Sequence, residues 1–270
     1  APVVTSTGRS FPVKVEHVAK PLKGGRDFIP DVARAISDAV DHHSGDILVF
    51  LPGASEIRRV AQRLDHIDAD IRPLYGALPF KEQRRALANS DRRRIVLATS
   101  IAETSLTIPG VRVVVDAGLA RRARFDPGSG MSRLHTEKVS RAEAEQRRGR
   151  AGRVEAGICI RLWTRGEHGA LPEFPPAEIE IADLSGLALE LAEWGSDDLA
   201  FLTPPPDAGL SRARALLTEL GALEGRSISG HGRKIARLPL HPRLAHMLVT
   251  AGRQAAPLAA LLSARDPLWG

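Results

Sequence analysis

The 270-residue sequence predicts an α/β fold: a parallel sheet flanked by helices, with a β-hairpin insertion and mostly helical modules after it. Three observations predict it. Ile47–Leu51, Ile95–Thr99 and Val111–Asp116 are apolar runs with little or no interruption, the mark of strands buried on both faces. The segments between them carry apolar residues every three to four positions, the period of helices that cover such a sheet. Beyond Trp163 this alternation stops: Pro172, Pro175 and Pro176 cross a connection, and helical periodicity takes over.

The elements follow in order. Ala1–Ser10 is small and polar and Phe11–Val18 alternates as a strand does, so residues 1–18 read as a linker and first strand. Val32, Ile36 and Val40 set a helix from Asp31 to about His43 and Gly45. The Ile47–Leu51 strand leads into a helix over Gly53–Leu64, with Ile57, Val60, Ala61 and Leu64 facing inward. Ile71–Tyr75 is a short strand, and Pro79–Leu87 a helix opened by proline. Ala120–Phe125 and Met131–Val139 flank the turn-rich Asp126–Gly130 and predict the hairpin. Ser140 and Glu143 fit a capping box that starts a helix, and Ile158–Leu162 closes the sheet. Together these place a first domain over residues 19–170. Leu184–Glu193, Gly209–Leu220 and Ile228–Leu238 read as helix, helix and short ribbon, an order that suits a winged-helix module over 171–240. Leu244–Ala251 and Pro257–Leu262 begin a further helical layer over 241–270.

With 43% hydrophobic residues the chain builds real cores, whereas 4% aromatic content argues against base recognition on an aromatic-rich sheet. Lys+Arg number 38 against 32 Asp+Glu, a formal charge of +6 with a pI near 10.1, which favours a polyanionic partner. Only six residues are lysine, so arginine carries the bias, as phosphate recognition would use it. The single cysteine, Cys159, excludes an internal disulfide, fits a reducing cytoplasm and reads as a core residue on a strand. No stretch approaches a membrane span, and the N-terminus shows no signal-peptide pattern. The nine histidines lack ligand spacing, so no metal site is expected.

The most informative segment is Gln146–Arg153, which reads Gln-Arg-Arg-Gly-Arg-Ala-Gly-Arg. Each interior glycine costs a helix roughly 1 kcal/mol relative to alanine, so packing or close approach must explain them. If the helix from Ser140 runs on, Gln146, Arg150 and Arg153 fall at i, i+4 and i+7 on one face. Gly149 and Gly152 then share an adjoining face, where another backbone comes close. Two forked guanidiniums beside one amide suit a phosphate chain and an attacking water. A solvated basic helix is the plainer reading. The second informative segment is Ala98–Ile108. Thr99 and Ser100 leave the carboxyl end of a central strand, where open α/β sheets bind ligands, and Ser105 and Thr107 follow beyond a turn. Small hydroxyls and backbone N–H groups there hold a phosphate without reading a base. A capped turn would explain the same residues.

Ala98–Ile108 with Val113–Asp116, and Gln146–Arg153, resemble motifs V and VI of the DEAH-box superfamily 2 helicases. Ile47–Ile57 resembles their motif IV, Leu74–Pro79 their motif IVa, and Ile235–Leu244 the segment after their winged helix. Together with Leu258–Pro267, that last segment points to the bacterial HrpB-type branch, and the resemblance covers nearly the whole chain. It implies a second RecA-like domain, a winged helix and the start of a helical ratchet-like domain. Such a chain is the carboxyl-side motor half of an ATP-dependent helicase, cytoplasmic and monomeric, acting on single-stranded nucleic acid with RNA the expected strand. In the family, ATP and Mg²⁺ bind between two RecA-like domains. Carried over by position, Arg150 and Arg153 are arginine fingers, and Gln146 contacts the γ-phosphate or positions water. Gly76, Thr99 and Ser100 match positions that hold the nucleic-acid backbone, and Ser105 and Thr107 those that couple strand to nucleotide. The hairpin at 120–139 resembles an element that guides the strand. Pro109, Leu87 and Pro52 depart from the pattern, standing where relatives often have a ribose-side aspartate, an adenine-stacking aromatic and a hydroxyl.

The chain contains no Gly-Lys and no Asp-Glu dipeptide. Neither the phosphate-cradling loop nor the carboxylate pair that holds Mg²⁺ can be assembled from it. The expectation is therefore that the first RecA-like domain lies upstream in a longer polypeptide or is absent altogether, and that the chain alone hydrolyses no ATP. Two other functions stay open at this point. One is a non-catalytic nucleic-acid-binding module, for which Gly209–Leu220 offers Arg212 and Arg214 but also Glu219. The other is an ATPase-activating module that serves a partner chain. Arg92–Arg94 reads as a solvated lead-in to a strand, and Trp163, Trp194 and Trp269 as packing at element ends.

Overall fold

The structure, a computed structural model, describes residues 11–22, 25–103 and 108–264. Ser105, Thr107 and Trp269 lie outside the described residues. Contacts divide the chain into two compact units, residues 1–122 with 134–175, and residues 123–133 with 176–270.

The first unit is built on β1 (Val13–His17), β2 (Asp46–Phe50), β3 (Asp70–Leu74), β4 (Arg94–Ala98), β5 (Val111–Asp116) and β8 (Gly157–Arg161). They form one sheet in the order β1-β8-β5-β2-β4-β3, and every neighbouring pair is parallel. The central β2 is flanked by β4 and β5, so the apolar runs read from the sequence occupy the middle of the sheet, where both faces are covered. Pro73 sits on β3, an edge strand, the one place where its missing N–H breaks no ladder. One expectation fails here. β8 does not close the sheet; it lies inside it, because β1 pairs along its free side with Val13 opposite Gly157.

Two apolar layers sandwich the sheet. On one face Ile29, Val32 and Ile36 of α1 (Phe28–His42) and Ile57 and Val60 of α2 (Ala54–Ala61) pack on Ile47, Val49, Ile95, Leu97, Val113 and Val115. On the other, Leu48, Phe50, Val96, Ala98, Val114 and Cys159 meet Ala86 of α3 (Phe80–Leu87), Ala102, Ile108 and Ala151. Alternation along each strand thus assigns its residues to opposite layers. Each fully buried aliphatic side chain contributes about 1.5–3 kcal/mol. Leu87, half-buried, packs against the second layer. Burial also pushes the Cys159 thiol up to about 12, so it stays protonated.

Arg92–Arg94 is not a solvated run. Only Arg92 is exposed. Arg93 donates to the carbonyls of Val40 (2.7 Å), His43 (2.6 Å) and Gly45 (2.7 Å), capping the carboxyl end of α1. Arg94 is buried and ion-paired with Asp46 at 2.5 Å. The hairpin strands β6 (Leu119–Asp126) and β7 (Met131–Lys138) pair with each other outside the main sheet. Within the first unit, Arg121 pairs with Glu56, and Arg122 with Glu137 and Glu143.

The second unit holds α6 (Glu178–Ile181), α7 (Ser185–Trp194), α8 (Asp207–Glu219), α9 (Gly230–Ala236), α10 (Pro242–Ala251) and α11 (Ala256–Ser263), after a short α5 (Arg165–Gly169) in the first unit. Its core joins Leu184, Leu189, Leu191, Leu210, Leu217, Leu223, Ile228 and Ile235. The short ribbon lies earlier than expected, as β9 (Leu223–Glu224) and β10 (Ser227–Ile228), and residues 230–236 are helical. Ser229 sets that start: its hydroxyl accepts the Gly232 N–H at 2.9 Å. Gly232 is required there, since a Cβ would meet the Ala222 carbonyl oxygen at 2.1 Å. Trp194 is 75% exposed and does not pack as expected. Among the described residues no helix is long and apolar enough to cross a membrane.

Candidate functional site

The carboxyl ends of β3 and β4 bring together the three residues expected to hold a nucleic-acid backbone. Gly76 follows β3 and is exposed; Thr99 and Ser100 follow β4, half-buried and exposed respectively. The Thr99 N–H donates to the Leu74 carbonyl at 3.1 Å, which ties the two strand ends side by side. No atom lies within 4 Å of where a Gly76 Cβ would stand, so that face is open. Nearby in sequence, at the first position of α3, Phe80 is 74% exposed, with the Arg84 guanidinium 5.9 Å from its ring centre. An aromatic ring so exposed is a surface that sequence reading passed over.

From Ser100 the chain turns once as a 3-10 helix, Ser100–Ala102. The Ala102 N–H donates to Thr99 (3.2 Å) and the Glu103 N–H to Ser100 (2.9 Å). Glu103 is therefore one hydrogen-bonded turn away from Ser100.

The arginine segment differs from its expected form. The helix α4 (Arg141–Arg148) starts as foreseen, with Ser140 and Glu143 forming a full capping box. It ends at Arg148, and tighter bonds follow, from Arg150 N–H to Arg147 (3.1 Å) and from Ala151 N–H to Arg148 (3.1 Å). Gln146, Arg150 and Arg153 are consequently not three points on one helical face. Gln146 and Arg153 are exposed, and Arg150 is buried. The glycines divide as well. At Gly152 a Cβ would meet the Phe11 carbonyl oxygen at 2.6 Å and Val13 Cγ2 at 2.7 Å. The Phe11 N–H donates to the Gly152 carbonyl at 2.9 Å, so here another backbone does approach. Gly149 meets only the carbonyls of Gln146 and Glu145, at 3.4 and 3.6 Å.

Arg150 donates from Nη2 to the Glu103 carbonyl. Arg150 and Arg153 together line a small cleft with Leu48, Ala102, Ile108 and Val111, on the second face of the sheet. Burial, and then the nearby Arg153 charge, lower the Arg150 pKa from the usual guanidinium value. It remains a cation at neutral pH. The two guanidiniums thus lie at one small cleft whose other lining side chains are apolar.

Sequence reading missed Arg147. It is 1% exposed, the largest fully buried side chain among the described residues. It bonds Glu103 Oε1 through Nε (2.7 Å) and Nη2 (2.6 Å), Asp116 Oδ1 (2.7 Å) and the Leu119 carbonyl (3.3 Å). Its guanidinium carbon lies 4.8 Å from the centre of the Phe50 ring. Burial works against this charge, but Asp116 and Glu103 outweigh it and raise the Arg147 pKa. Glu103 shares its cation with Asp116, and burial pushes its carboxyl up. A signal existed in the sequence. Ala144, Arg147 and Ala151 fall at i, i+3 and i+7 and all three are buried, while Asp116 ends an apolar strand and needs a cationic partner.

A model of the helicase conserved C-terminal domain matches residues 31–155. The ATP-dependent RNA helicase HrpB of Escherichia coli K12 is 46% identical over 97% of this chain and 34% of its own length. The ATP-dependent RNA helicase HrpA of the same organism is 38% identical over 99% of this chain and 22% of its own length. The crystal structure of the E. coli DExH-box NTPase HrpB superposes with a TM-score of 0.90 at 45% identity, over 98% of this chain and 34% of that one. The chain therefore spans about a third of HrpB, the first of these relatives, and less of HrpA. In sequence and fold, the chain belongs to the DEAH-box helicases of the HrpB type, and residues 31–155 are its helicase conserved C-terminal domain.

Proposed function

We propose that the chain is the part of an ATP-dependent RNA helicase that completes the nucleotide site and carries part of the single-strand track. The relatives named ATP-dependent RNA helicases support the activity class. The observation that carries the residue assignment is the shared cleft of Arg150 and Arg153, in which Arg150 is fixed on the Glu103 carbonyl just beyond the strand loop. In this reading Arg150 and Arg153 are the arginine fingers, and Gln146 meets the γ-phosphate or its attacking water. Arg150 is preordered by its bond to Glu103, so little side-chain entropy remains to be lost when charge develops on the transferring phosphoryl group. ATP with Mg²⁺ is held chiefly by a first RecA-like domain, since this chain has neither the Gly-Lys loop nor the Asp-Glu pair.

Gly76, Thr99 and Ser100 bind the strand by its phosphates, a mode that reads no base. Ser105 and Thr107 take the coupling role. Residues 171–240 form the winged helix, and residues 241–270 begin the ratchet-like domain. The chain acts as a monomer in the cytoplasm.

The test is hydrolysis in a polypeptide that also carries the first motor domain. Arg150→Ala is expected to lower turnover by about 10³-fold or more, with RNA affinity within a few-fold of the parent. Turnover that survives Arg150→Ala removes the finger assignment. The chain without that domain is expected to release no phosphate from ATP.

A further inference from the structure

Glu103 is bonded in three directions, and each leads to a different part of the site. Its N–H donates to the Ser100 carbonyl at 2.9 Å. Its own carbonyl accepts from Arg150. Its carboxylate takes two bonds from Arg147, at 2.7 and 2.6 Å. Arg147 is in turn fixed to Asp116, Leu119 and the Phe50 ring, hence to β5, β6 and β2. A single residue thus stands between the loop proposed to hold RNA and the arginine proposed to reach the nucleotide.

We infer that Glu103 is a positioning residue that passes occupancy of the Thr99–Ser100 loop on to Arg150, with the buried Arg147 as its anchor. The inference rests on the finger assignment for Arg150. Its physical basis is the shortness of the path. Between Thr99 and Glu103 the backbone makes one 3-10 turn with two internal hydrogen bonds, a piece too tight to absorb a shift at one end. A displacement of Ser100 by a bound phosphate therefore moves the Glu103 carbonyl, and with it the point where Arg150 is held. The Arg147 pair limits that motion to positions that keep the carboxylate on the guanidinium. A buried ion pair of this kind is a weak source of net stability compared with apolar packing. What it supplies is a fixed geometry for the turn.

The test uses the polypeptide with its first motor domain and reads one ratio, kcat for ATP with saturating single-stranded RNA over kcat without RNA. The ratio is taken on one preparation, so a fraction of unfolded protein cancels, and a merely structural role leaves it unmoved. Glu103→Gln and Arg147→Lys are the two variants, either of which suffices if the other fails to fold. The ratio is expected to fall about tenfold in each, within the usual range of coupling between two sites. A ratio within twofold of the parent overturns the inference, as does a parent rate that RNA does not change. Arg150→Ala in the same assay separates the two readings. If it keeps turnover, the finger assignment falls and the inference falls with it. If it loses turnover while Glu103→Gln keeps the full ratio, only the coupling role is lost.

Discussion

Replacing Arg147 by methionine tests how the arginine segment is held to the sheet. Methionine keeps most of the volume and a soft contact with Phe50, but removes the cation from between Glu103 and Asp116. The side chains of those carboxylates are 11% and 0% exposed, so neither can recover its hydration. Removing one partner of a buried pair costs about 3–5 kcal/mol, roughly 10 °C in midpoint for a unit of this size. The loss also depends on pH. Glu103 already has a raised pKa from burial, and without Arg147 it rises further. A carboxyl with a raised folded pKa adds stability below its unfolded value, about 4.5, and loses it as pH rises through the folded value. The variant should therefore be more destabilised at pH 8 than at pH 5. Because two units are present, thermal melts are best followed by Trp163 fluorescence in a Trp194→Phe, Trp269→Phe background; Trp163 is 6% exposed and lies in the first unit. A loss below about 1 kcal/mol, or one that does not grow with pH, would refute the buried-pair reasoning.

Two further outcomes are expected. Gly152→Ala places a Cβ 2.6 Å from the Phe11 carbonyl oxygen, a backbone atom. It should destabilise the first unit by about 1–3 kcal/mol, whereas Gly76→Ala, with nothing within 4 Å, should leave the melting midpoint unchanged. In the second unit burial opposes the Asp183 charge, but hydrogen bonds from His241 and Ser185 outweigh it and hold its pKa down to about 2. A depressed carboxyl contributes stability above its unfolded value near 3.8 and loses it as pH falls toward 2. Acid titration of the chain should show this limb between about pH 4 and 2, and Asp183→Asn should flatten it; an unchanged limb contradicts the assignment.

The parallel sheet was legible because its strands carry their own signal. Val111–Asp116 matches the observed β5 residue for residue, since an apolar run buried on both faces needs no tertiary context to be recognised. Ser140 was legible as a cap for the same local reason. The misses arose where distant partners decide. Arg93 and Arg94 look solvated in sequence and are consumed by the end of α1 and by Asp46, partners some 50 positions away. Residues 228–238 were read as ribbon because Gly230 and Gly232 weaken any helical pattern; the second glycine is there to pass the Ala222 carbonyl. In the site, strand-end position pointed to Thr99 and Ser100 and the family resemblance to Gly76, and these three do lie at the neighbouring ends of β3 and β4. Arg147 left a signal that was passed over, but the split of the other two into exposed Arg153 and cleft-held Arg150 could not be read, because the helix stops at Arg148 and the face pattern stops with it.

The most direct measurement compares ground-state and transition-state binding in the polypeptide that includes the first motor domain. Parent, Arg150→Ala and Arg153→Ala are titrated with a non-hydrolysable ATP analogue, and with ADP plus a planar metal fluoride that mimics the transferring phosphoryl group. Arginine fingers act mainly on charge that develops in transfer. Each variant should then bind the mimic on the order of 10³-fold more weakly than the parent does, while its affinity for the ATP analogue changes only a few-fold. Equal losses for both ligands, or none for either, would contradict the role given to Arg150 and Arg153.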